Sequence, residues 1–523
     1  MVQESKKKRR AKNKFKMPSA LVIIFFIIIA MAVLSWIIPS GQYQMTAPVD
    51  GSDPLPIAGT YSEIPKVSED ADGIVTDHRQ GAWEVLQAPI AGTIDAISVV
   101  LFILILGGFL GITMRTGALD ALFGKIIRKL KGREKWIIPI LMIFFAIGGT
   151  TYGMQEETVA FYALVVPIML AAGYNGATAA MVIILGAGAG VLGSTVNPFS
   201  TGIASGFAGI SLGDGIIERF VILILATIAA IVFTMRYAKG VKEGKYKADS
   251  RGDRKLLRTG EEVAKSVIPA FTKSRQTIVW IFALTFVVMI ISVIPWAYKF
   301  NITFFEDMNN FILGIPILGA LLGNIPPLGD WWFDQLSALF LFSSMLIGWV
   351  FYKGRKTRVD DEDNYVGVFV RGAKDLLTVA LIVGVARGVS VVMMDGAIMD
   401  TIIHAGEQIL HNVSSLFLPA FTFLIYLPLS FLIPSTSGLA TATMPILAPL
   451  ADFAGLDRSL IVTAFATAAG VVNMIAPTVA SVMGGLALAR VSYGVWVKRT
   501  WKYMVVVSVI SIVVITASAV IGG

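Results

Sequence analysis

Long apolar runs dominate the sequence, and short polar segments separate them. The longest runs are 21–38, 94–114, 220–235, 278–295, 336–352 and 505–521. Each approaches the roughly 20 residues with which a helix crosses a ~30 Å hydrocarbon core. The pattern therefore predicts an all-α, polytopic protein of the lipid bilayer.

Polar residues around Pro and Gly interrupt this apolar sequence in both halves of the chain. The clearest breaks are 194–201, inside a helix predicted over 177–210, and 434–441; a further break surrounds Pro477. A helix broken in hydrocarbon leaves backbone N–H and C=O groups without partners, so such breaks persist where they line a cavity. Breaks in both halves favour a secondary transporter that binds its solute near the middle of the membrane.

Composition narrows the function classes. Hydrophobic residues make up 55% of the 523 residues and charged residues 15%, and the net charge is +8. Lys and Arg gather in a few short segments, as in cytoplasmic loops, so we expect no nucleic-acid partner. The chain has no Cys, which excludes disulfides and thiolate metal sites, and we expect no cofactor.

The charge distribution also predicts a topology in the cell membrane with a cytoplasmic N-terminus. The predicted order is a basic N-terminus with the first helix (1–38), an acidic extracytoplasmic loop (39–88), a first repeat (89–235), a basic cytoplasmic linker (236–275), connecting scaffold helices (276–365), and a second repeat with the last helix (366–523). The second helix is expected over about 89–114.

Three matches at nearly one spacing indicate an internal repeat. Gly117-Ala and Gly396-Ala are 279 residues apart, Pro167-Ile and Pro445-Ile 278, and Pro198 and Pro477 279. The helix before residue 115 ends in basic sequence, whereas its counterpart, about 376–394, ends in acidic sequence. Opposite flanking charge predicts inverted repeats, the architecture of many alternating-access carriers.

Residues 136–173 are predicted to form a re-entrant hairpin, although two full crossings fit the same pattern. Its tip carries Gln155, Glu156 and Glu157 between apolar flanks. Intramembrane carboxylates commonly face a cation or a proton path. The alternative is that one of them caps the N-terminus of the returning helix.

The second hairpin tip carries Ser435, Thr436 and Ser437 at the start of a half-helix. Free N–H groups and hydroxyls there suit a carboxylate, or a Na⁺ ion together with backbone carbonyls; a simple capped kink is the alternative. Arg387 lies deep in a predicted helix and needs a partner, either Glu156 or Glu157 or a solute carboxylate. The three His residues, at 78, 404 and 411, suggest no role.

The candidate site residues form two groups. Those expected to bind solute are Glu156, Glu157, Ser194, Asn197, Arg387, Ser435, Thr436, Ser437, Asn473 and Thr478. Those expected near a coupling ion, Na⁺ or H⁺, are Thr151, Gln155, Thr195, Ser200, Thr201 and Ser481.

Several motifs resemble one family across essentially the whole chain. Lys14-Phe-Lys-Met-Pro-Ser, Trp36-Ile-Ile-Pro-Ser-Gly-Gln-Tyr and above all Gly153-Met-Gln-Glu-Glu-Thr are similar to the YfcC-type branch of the C4-dicarboxylate anaerobic carrier-like family, in the ion transporter superfamily. The resemblance implies a homodimer with a scaffold part and a transport part that moves like an elevator. Dicarboxylate relatives carry Ser-Asn-Thr at both hairpin tips, whereas this chain has Gln-Glu-Glu at the first.

An acidic first tip suits a cationic solute, and the branch also resembles arginine–ornithine antiporters. We therefore expect a carrier of amino acids, namely basic ones, that exchanges arginine for ornithine. The alternative is a Na⁺- or H⁺-coupled C4-dicarboxylate carrier, and an ion channel is the alternative of a different class. The sequence contains neither Gly-x₄-Gly-Lys-Ser/Thr nor His-Glu-x-x-His, so an ATP-driven or hydrolytic enzyme has no support.

Overall fold

We describe the chain from a computed structural model. The structure describes residues 20–45, 56–57, 59–69, 75–129, 134–155, 158–246, 269–353, 364–410, 415–433 and 435–522. The predicted basic N-terminus and most of the predicted linker 236–275 lie outside these ranges.

Helices account for most of the described chain. In order they are α1 (Ala20–Ile37), α2 (Ala82–Asp95), α3 (Ile97–Arg115), α4 (Ala118–Lys129), α5 (Glu134–Tyr152), α6 (Thr158–Ala171), α7 (Gly176–Gly193), a π-helical turn (Pro198–Gly202), α8 (Ile203–Ala208), α9 (Ile216–Lys242), α10 (Lys273–Val293), α11 (Trp296–Phe300), α12 (Phe304–Leu313), α13 (Pro316–Leu322), α14 (Phe333–Tyr352), α15 (Tyr365–Asp375), α16 (Leu377–Asp395), α17 (Met399–Leu410), a 3-10 turn (Ser415–Phe417), α18 (Leu418–Leu432), α19 (Thr436–Phe453), α20 (Arg458–Asn473), α21 (Ala480–Leu488) and α22 (Tyr493–Gly522).

Seven helical segments of the described chain are long and apolar enough to cross a membrane. They are Ile97–Arg115, Gly176–Ala208, Ile216–Lys242, Lys273–Val293, Phe333–Tyr352, Leu377–Asp395 and Tyr493–Ile521. Shorter apolar helices lie between them, among them Trp136–Tyr152 and Leu418–Phe431. The prediction of a multi-pass helical protein is confirmed.

The second helix differs from its predicted form. Instead of one helix over about 89–114, the chain forms α2 and α3, which meet at Ala96, and α2 already begins at Ala82. Pro89 lies inside α2 and does not end it. Glu84 at position N3 accepts a hydrogen bond from the Gly81 amide at 2.9 Å, which fixes the earlier start.

Short antiparallel strands occupy the segment between α1 and α2. Strand β1 (Ser40–Gln42) pairs with β2 (Ser62–Ile64), and β3 (Val67–Glu69) pairs with β4 (Val75–Asp77). The Gly41 amide donates to the Ala397 carbonyl at 2.9 Å, so β1 is attached to the turn between α16 and α17. The predicted polar loop is therefore folded against the second half of the chain.

The element order repeats, and the packing is reciprocal. Helices α2–α9 correspond in order to α15–α22, with a hairpin and a broken helix in each set. Helix α2 packs on α16, and α3 packs on α15. In each of these two pairs, one helix comes from the first set and the other from the second set. Likewise α6 packs on α21, and α19 packs on α8. The helix order and these contacts are thus matched between the two sets, which we call the first and the second unit.

Glycine faces allow the two units to approach closely. A Cβ atom at Gly92 would lie 2.2 Å from the Gly388 amide nitrogen, and one at Gly107 would lie 2.6 Å from the Gly372 carbonyl oxygen. Helices in membranes use small residues in this way because backbone-to-backbone approach maximises their van der Waals contact. These crossings join α2 to α16 and α3 to α15.

Candidate solute and ion site

Hairpin 1 consists of α5 and α6 and turns at Gly153–Gln155. Gly153 has φ +73°, a conformation that glycine adopts without strain. The Met154 amide donates to the Gly148 carbonyl at 3.2 Å, and the Thr158 hydroxyl donates to the Gln155 carbonyl at 2.5 Å, which closes the turn on both sides. Gln155 is half-buried at the tip, and Glu156 and Glu157 lie outside the described residues.

The end of α5 is bonded to the break in the first broken helix. The hydroxyls of Thr150 and Thr195 lie 2.9 Å apart, and the Thr195 amide donates to the Thr150 hydroxyl at 2.9 Å. The Val196 amide donates to the Thr150 carbonyl at 3.3 Å. Hairpin 1 thus satisfies backbone groups that the break would otherwise leave without partners.

The break itself is closed by its own side chains. Ser194 ends α7 with φ 40°, and the Thr201 hydroxyl lies 2.7 Å from the Ser194 carbonyl and 2.8 Å from its hydroxyl. The Asn197 side chain accepts from the Phe199 amide at 3.0 Å, and Pro198 starts the π-helical turn. All of the predicted polar residues of this break are buried: Ser194, Thr195, Asn197, Ser200 and Thr201.

Hairpin 2 consists of α18 and α19, and its tip makes the equivalent contact in the second unit. Ser435 caps α19 by accepting from the Gly438 amide at 3.2 Å, and the Asn473 side-chain amide donates to the Thr436 hydroxyl at 3.1 Å. Asn473 is the last residue of α20, where the second broken helix is interrupted. Ser437 is buried and lies 3.5 Å from the Ser435 hydroxyl.

Aromatic side chains from α22 donate hydrogen bonds to backbone carbonyls at the second break. The Trp496 indole donates to the Met474 carbonyl at 3.1 Å, and the Tyr493 hydroxyl donates to the Ile475 carbonyl at 2.9 Å. Ser481 is buried in the first turn of α21, whereas Thr478 is exposed. The solute-binding role predicted for Thr478 stays a prediction.

The two units meet at the π-helical turn Pro198–Gly202. This turn packs against α5, α19 and α20, so it contacts hairpin 1, hairpin 2 and the second broken helix. The Ser200 hydroxyl in this turn is buried, and no hydrogen-bond partner for it lies in the described part of the chain. Hairpin 2 continues into α19, and a helix N-terminus offers free N–H groups to an anion.

Arg387 and Thr151 contact residues that the sequence analysis did not name as their partners. Arg387 forms an ion pair and hydrogen bond with Asp95 of α2, and its guanidinium lies 5.2 Å from the centre of the Phe207 ring in α8. Neither partner was expected from the sequence. The Thr151 hydroxyl donates to the Ile147 carbonyl of its own helix at 2.7 Å, so the neighbouring Thr150, which was not predicted, contacts the break instead.

Buried arginines and a polar cluster were also missed. The fully buried Arg219 donates to the Leu212 carbonyl at 2.6 Å, and Arg458 donates to the Ala208 carbonyl at 2.6 Å, so both stabilise the chain that follows α8. His404, for which no role was predicted, lies 3.0 Å from the Glu407 carboxylate. Arg458 and Ala208 lie 250 residues apart in the chain, so no local sequence signal identified that contact.

Comparison with solved structures identifies the class of fold. The chain aligns with MtrF of Neisseria gonorrhoeae, described in connection with a class of antimetabolite efflux pumps, with TM-score 0.62 and 16% identity over 96% of this chain and 95% of that one. It aligns with the YdaH transporter of Alcanivorax borkumensis with TM-score 0.63 and 12% identity over 97% and 99%. The fold is therefore that of a multi-pass membrane transporter.

The family follows from the sequence. The C4-dicarboxylate anaerobic carrier (DcuC) family matches residues 17–520, and the chain belongs to this family of transporters. An "Uncharacterized protein" of Haemophilus influenzae is 30% identical over 521 residues, which span 94% of each chain. The Escherichia coli K12 "Putative basic amino acid antiporter YfcC" is 27% identical over 544 residues, which span 100% of this chain and 99% of that one.

Proposed function

We propose that this transporter is an antiporter of basic amino acids, with arginine and ornithine as the exchanged pair. The observation that carries the proposal is the docking of each hairpin tip on a helix break, through Thr150 and Thr195 in one unit and Thr436 and Asn473 in the other. In secondary carriers, half-helix N-termini beside a helix break commonly face the bound solute, and this supports a solute site at these contacts. The description of the E. coli relative supports the choice of solute class.

The roles follow from charge. The tip of hairpin 2, with Ser435, Thr436 and Ser437 and the N-terminus of α19, would receive the α-carboxylate of the solute, because a helix N-terminus and hydroxyl donors favour an anion. Glu156 and Glu157 would receive the cationic end. Buried hydroxyls such as that of Ser200 would complete a Na⁺ or proton path, if an ion couples to transport.

We further propose that the two units are inverted repeats in the cell membrane, with a cytoplasmic N-terminus, in a homodimer. The hairpins would then be re-entrant and would move in an elevator-like way against a scaffold that contains α2, α3, α15 and α16. The two hairpins pack against different helices, and this difference supports the proposed motion. The Gly438 tip lies against Ile382 of α16 and Ile24 of α1, whereas Tyr152 of hairpin 1 lies against Phe282 and Phe286 of α10.

The description of the family favours a second candidate, a cation-coupled carrier of C4-dicarboxylates. In this candidate the hydroxyls at both breaks bind the carboxylates, and Glu156 and Glu157 bind the coupling cation. In the first candidate the acidic tip binds the solute itself, whereas in the second candidate it binds the coupling cation.

Counterflow in proteoliposomes tests both. Vesicles loaded with ornithine should accumulate labelled arginine and should not accumulate succinate, and Glu157→Gln should abolish the exchange while leaving a folded protein. Na⁺-dependent uptake of succinate without arginine exchange would replace the first candidate by the second. A non-saturable flux would indicate a channel and would exclude both.

A further inference from the structure

Tyr162 of α6 carries a polar atom that the fold leaves without a partner. The side chain is 1% exposed, and its hydroxyl has no hydrogen-bond partner among the described residues. The other buried hydroxyls in the same situation belong to Ser and Thr, and nearly all of those stand in helices, where a short side chain lies beside carbonyls of its own helix. A tyrosine hydroxyl extends beyond its own helix, so it depends on a partner from elsewhere.

A purely structural role does not explain this hydroxyl. A buried donor without a partner destabilises the folded state, whereas phenylalanine would fill the same space without that cost. Buried polar groups without partners are rare in folded proteins, and each one needs a specific explanation. The hydroxyl therefore points to a partner that is bound only during function.

The surface opposite Tyr162 leaves room for the end of its side chain. A Cβ atom at Gly485 of α21 would lie 2.4 Å from the hydroxyl oxygen and 2.5 Å from the ring Cζ atom, so only glycine allows the hydroxyl and the end of the ring to lie there. Ser481 is one helical turn before Gly485 and lies on the same side of α21. Val159, one turn before Tyr162, would lie 3.9 Å from a Cβ atom at Gly484.

This contact joins hairpin 1 of one unit to the broken helix of the other. Thr158, the first residue of α6, and Ala480, the first residue of α21, both lie within about one turn of the contact. The hydroxyl is therefore close to two half-helix N-termini of the candidate site.

We propose that the Tyr162 hydroxyl donates a hydrogen bond to a carboxylate oxygen of the transported solute when hairpin 1 separates from α21, and that Gly485 receives the hydroxyl when the site is empty. This inference rests on the proposed function, because it requires that a carboxylate-bearing solute binds between the hairpins. It adds a solute-contacting residue on hairpin 1 that the sequence did not indicate.

The test compares Tyr162→Phe with wild type in purified protein, by binding of arginine, ornithine and succinate and by thermal unfolding without solute. We expect the Kd for the solute that wild type binds to rise at least about tenfold, since a hydrogen bond to a charged group is lost. We expect the Tm without solute to stay the same or to rise. An unchanged Kd would overturn the proposal, and a raised Kd with a lowered Tm would assign the hydroxyl a structural role instead.

Two further variants make the comparison sharper. Tyr503 is equally buried, but its hydroxyl donates to the Ala226 carbonyl at 3.2 Å, so Tyr503→Phe should lower Tm and leave Kd unchanged. Gly485→Ala should lower Tm because its methyl group would lie 2.4 Å from the hydroxyl oxygen and 2.5 Å from the ring Cζ atom of Tyr162. Phenylalanine keeps the Cζ atom, so the double variant Tyr162→Phe/Gly485→Ala should have a lowered Tm and the raised Kd of Tyr162→Phe. A double variant that binds and transports like wild type would contradict the proposal.

Failure of the proposed function would look different. If wild type binds none of the three solutes, the proposed function fails before the variants are compared. If wild type binds one of them and Tyr162→Phe binds it equally well, only the role of Tyr162 fails.

Discussion

The side chains of Thr150 and Thr195 join hairpin 1 to the first helix break through hydroxyls 2.9 Å apart. The Thr150 hydroxyl also accepts from the Thr195 amide at 2.9 Å. The Thr150 side chain therefore bonds to both the side chain and the backbone of Thr195. In the second unit, the Asn473 side-chain amide donates to the Thr436 hydroxyl at 3.1 Å. Among the described residues, hairpin 1 is thus joined to its break by more hydrogen bonds than hairpin 2.

Thr150→Val is expected to impair transport and to lower stability by about 1–3 kcal/mol, because it leaves the buried Thr195 amide without a partner. Thermal unfolding in detergent and initial rates of counterflow measure the two effects. Thr151→Val is the matched control for stability, since within the described part of the chain the Thr151 hydroxyl bonds to carbonyls of its own helix. Equal losses in the two variants would show that the bond to the break has no special role.

A disulfide between hairpin 2 and α16 is expected to stop transport. A Cβ atom at Gly438 would lie 2.7 Å from the Ile382 Cγ2 atom, so cysteines at these positions would be close enough to bond. The chain has no cysteine, so Gly438→Cys/Ile382→Cys forms a single defined pair. If the hairpin moves against α16, oxidation should abolish counterflow and reduction should restore it. Transport that persists after complete cross-linking would exclude such movement.

The helix crossing at Gly372 is expected to tolerate no side chain. A Cβ atom at Gly372 would lie 2.4 Å from the Gly107 carbonyl oxygen, so Gly372→Ala must separate α3 from α15 and should destabilise the protein by about 1–3 kcal/mol. Gly494→Ala in α22 is the control, because no atom lies within 4 Å of its added Cβ. Thermal unfolding compares them, and a neutral Gly372→Ala would mean that the crossing adapts easily.

The Glu407 carboxylate on α17 predicts loss of stability in acid. Burial raises the pKa of Glu407, but hydrogen bonds from Tyr43, His404 and the Gly59 amide outweigh burial and hold this pKa below its ordinary value. A lowered pKa stabilises the folded protein above the ordinary pKa of the carboxyl, and this contribution is lost as pH falls through the folded-state pKa. We therefore expect Tm to fall on acidification below about pH 4.5.

Glu407→Gln should remove this part of the acid sensitivity, and Glu243→Gln, which changes an exposed carboxylate, should not. Measuring the difference in Tm between each variant and wild type from pH 7 to 4 isolates the effect. The comparison is needed because Asp400 contributes with the opposite sign: burial raises its pKa and outweighs the bond from the Tyr43 amide. A Glu407→Gln profile parallel to that of wild type would contradict the assignment.

Local sequence was enough to predict the helical class and the positions of the breaks. Pro198 cannot continue the hydrogen-bond ladder of a helix, and the Ser435-Thr436 pair is a strong helix start, so both effects act within a few residues. The internal repeat was visible for the same reason.

Contacts between distant segments were not predictable. Nothing in the sequence near Arg387 indicates that Asp95, 292 residues away, would be its partner. The choice between Thr150 and Thr151 depends on which side of α5 meets the break, and two adjacent threonines cannot reveal it. Tyr43 and Glu407 likewise come together only because β1 is attached to the turn before α17.

The reciprocal packing of α6 on α21 and of α19 on α8 has a consequence for biosynthesis. Hairpin 1 and the first break are synthesised long before α21, which covers them, so the first unit enters the bilayer with part of its polar centre uncovered. Neither unit can complete its own site, and contacts of such long sequence separation form late. A chain that stops before residue 480 should therefore insert its first helices and yet be degraded, since the surface that α21 covers stays open to the lipid.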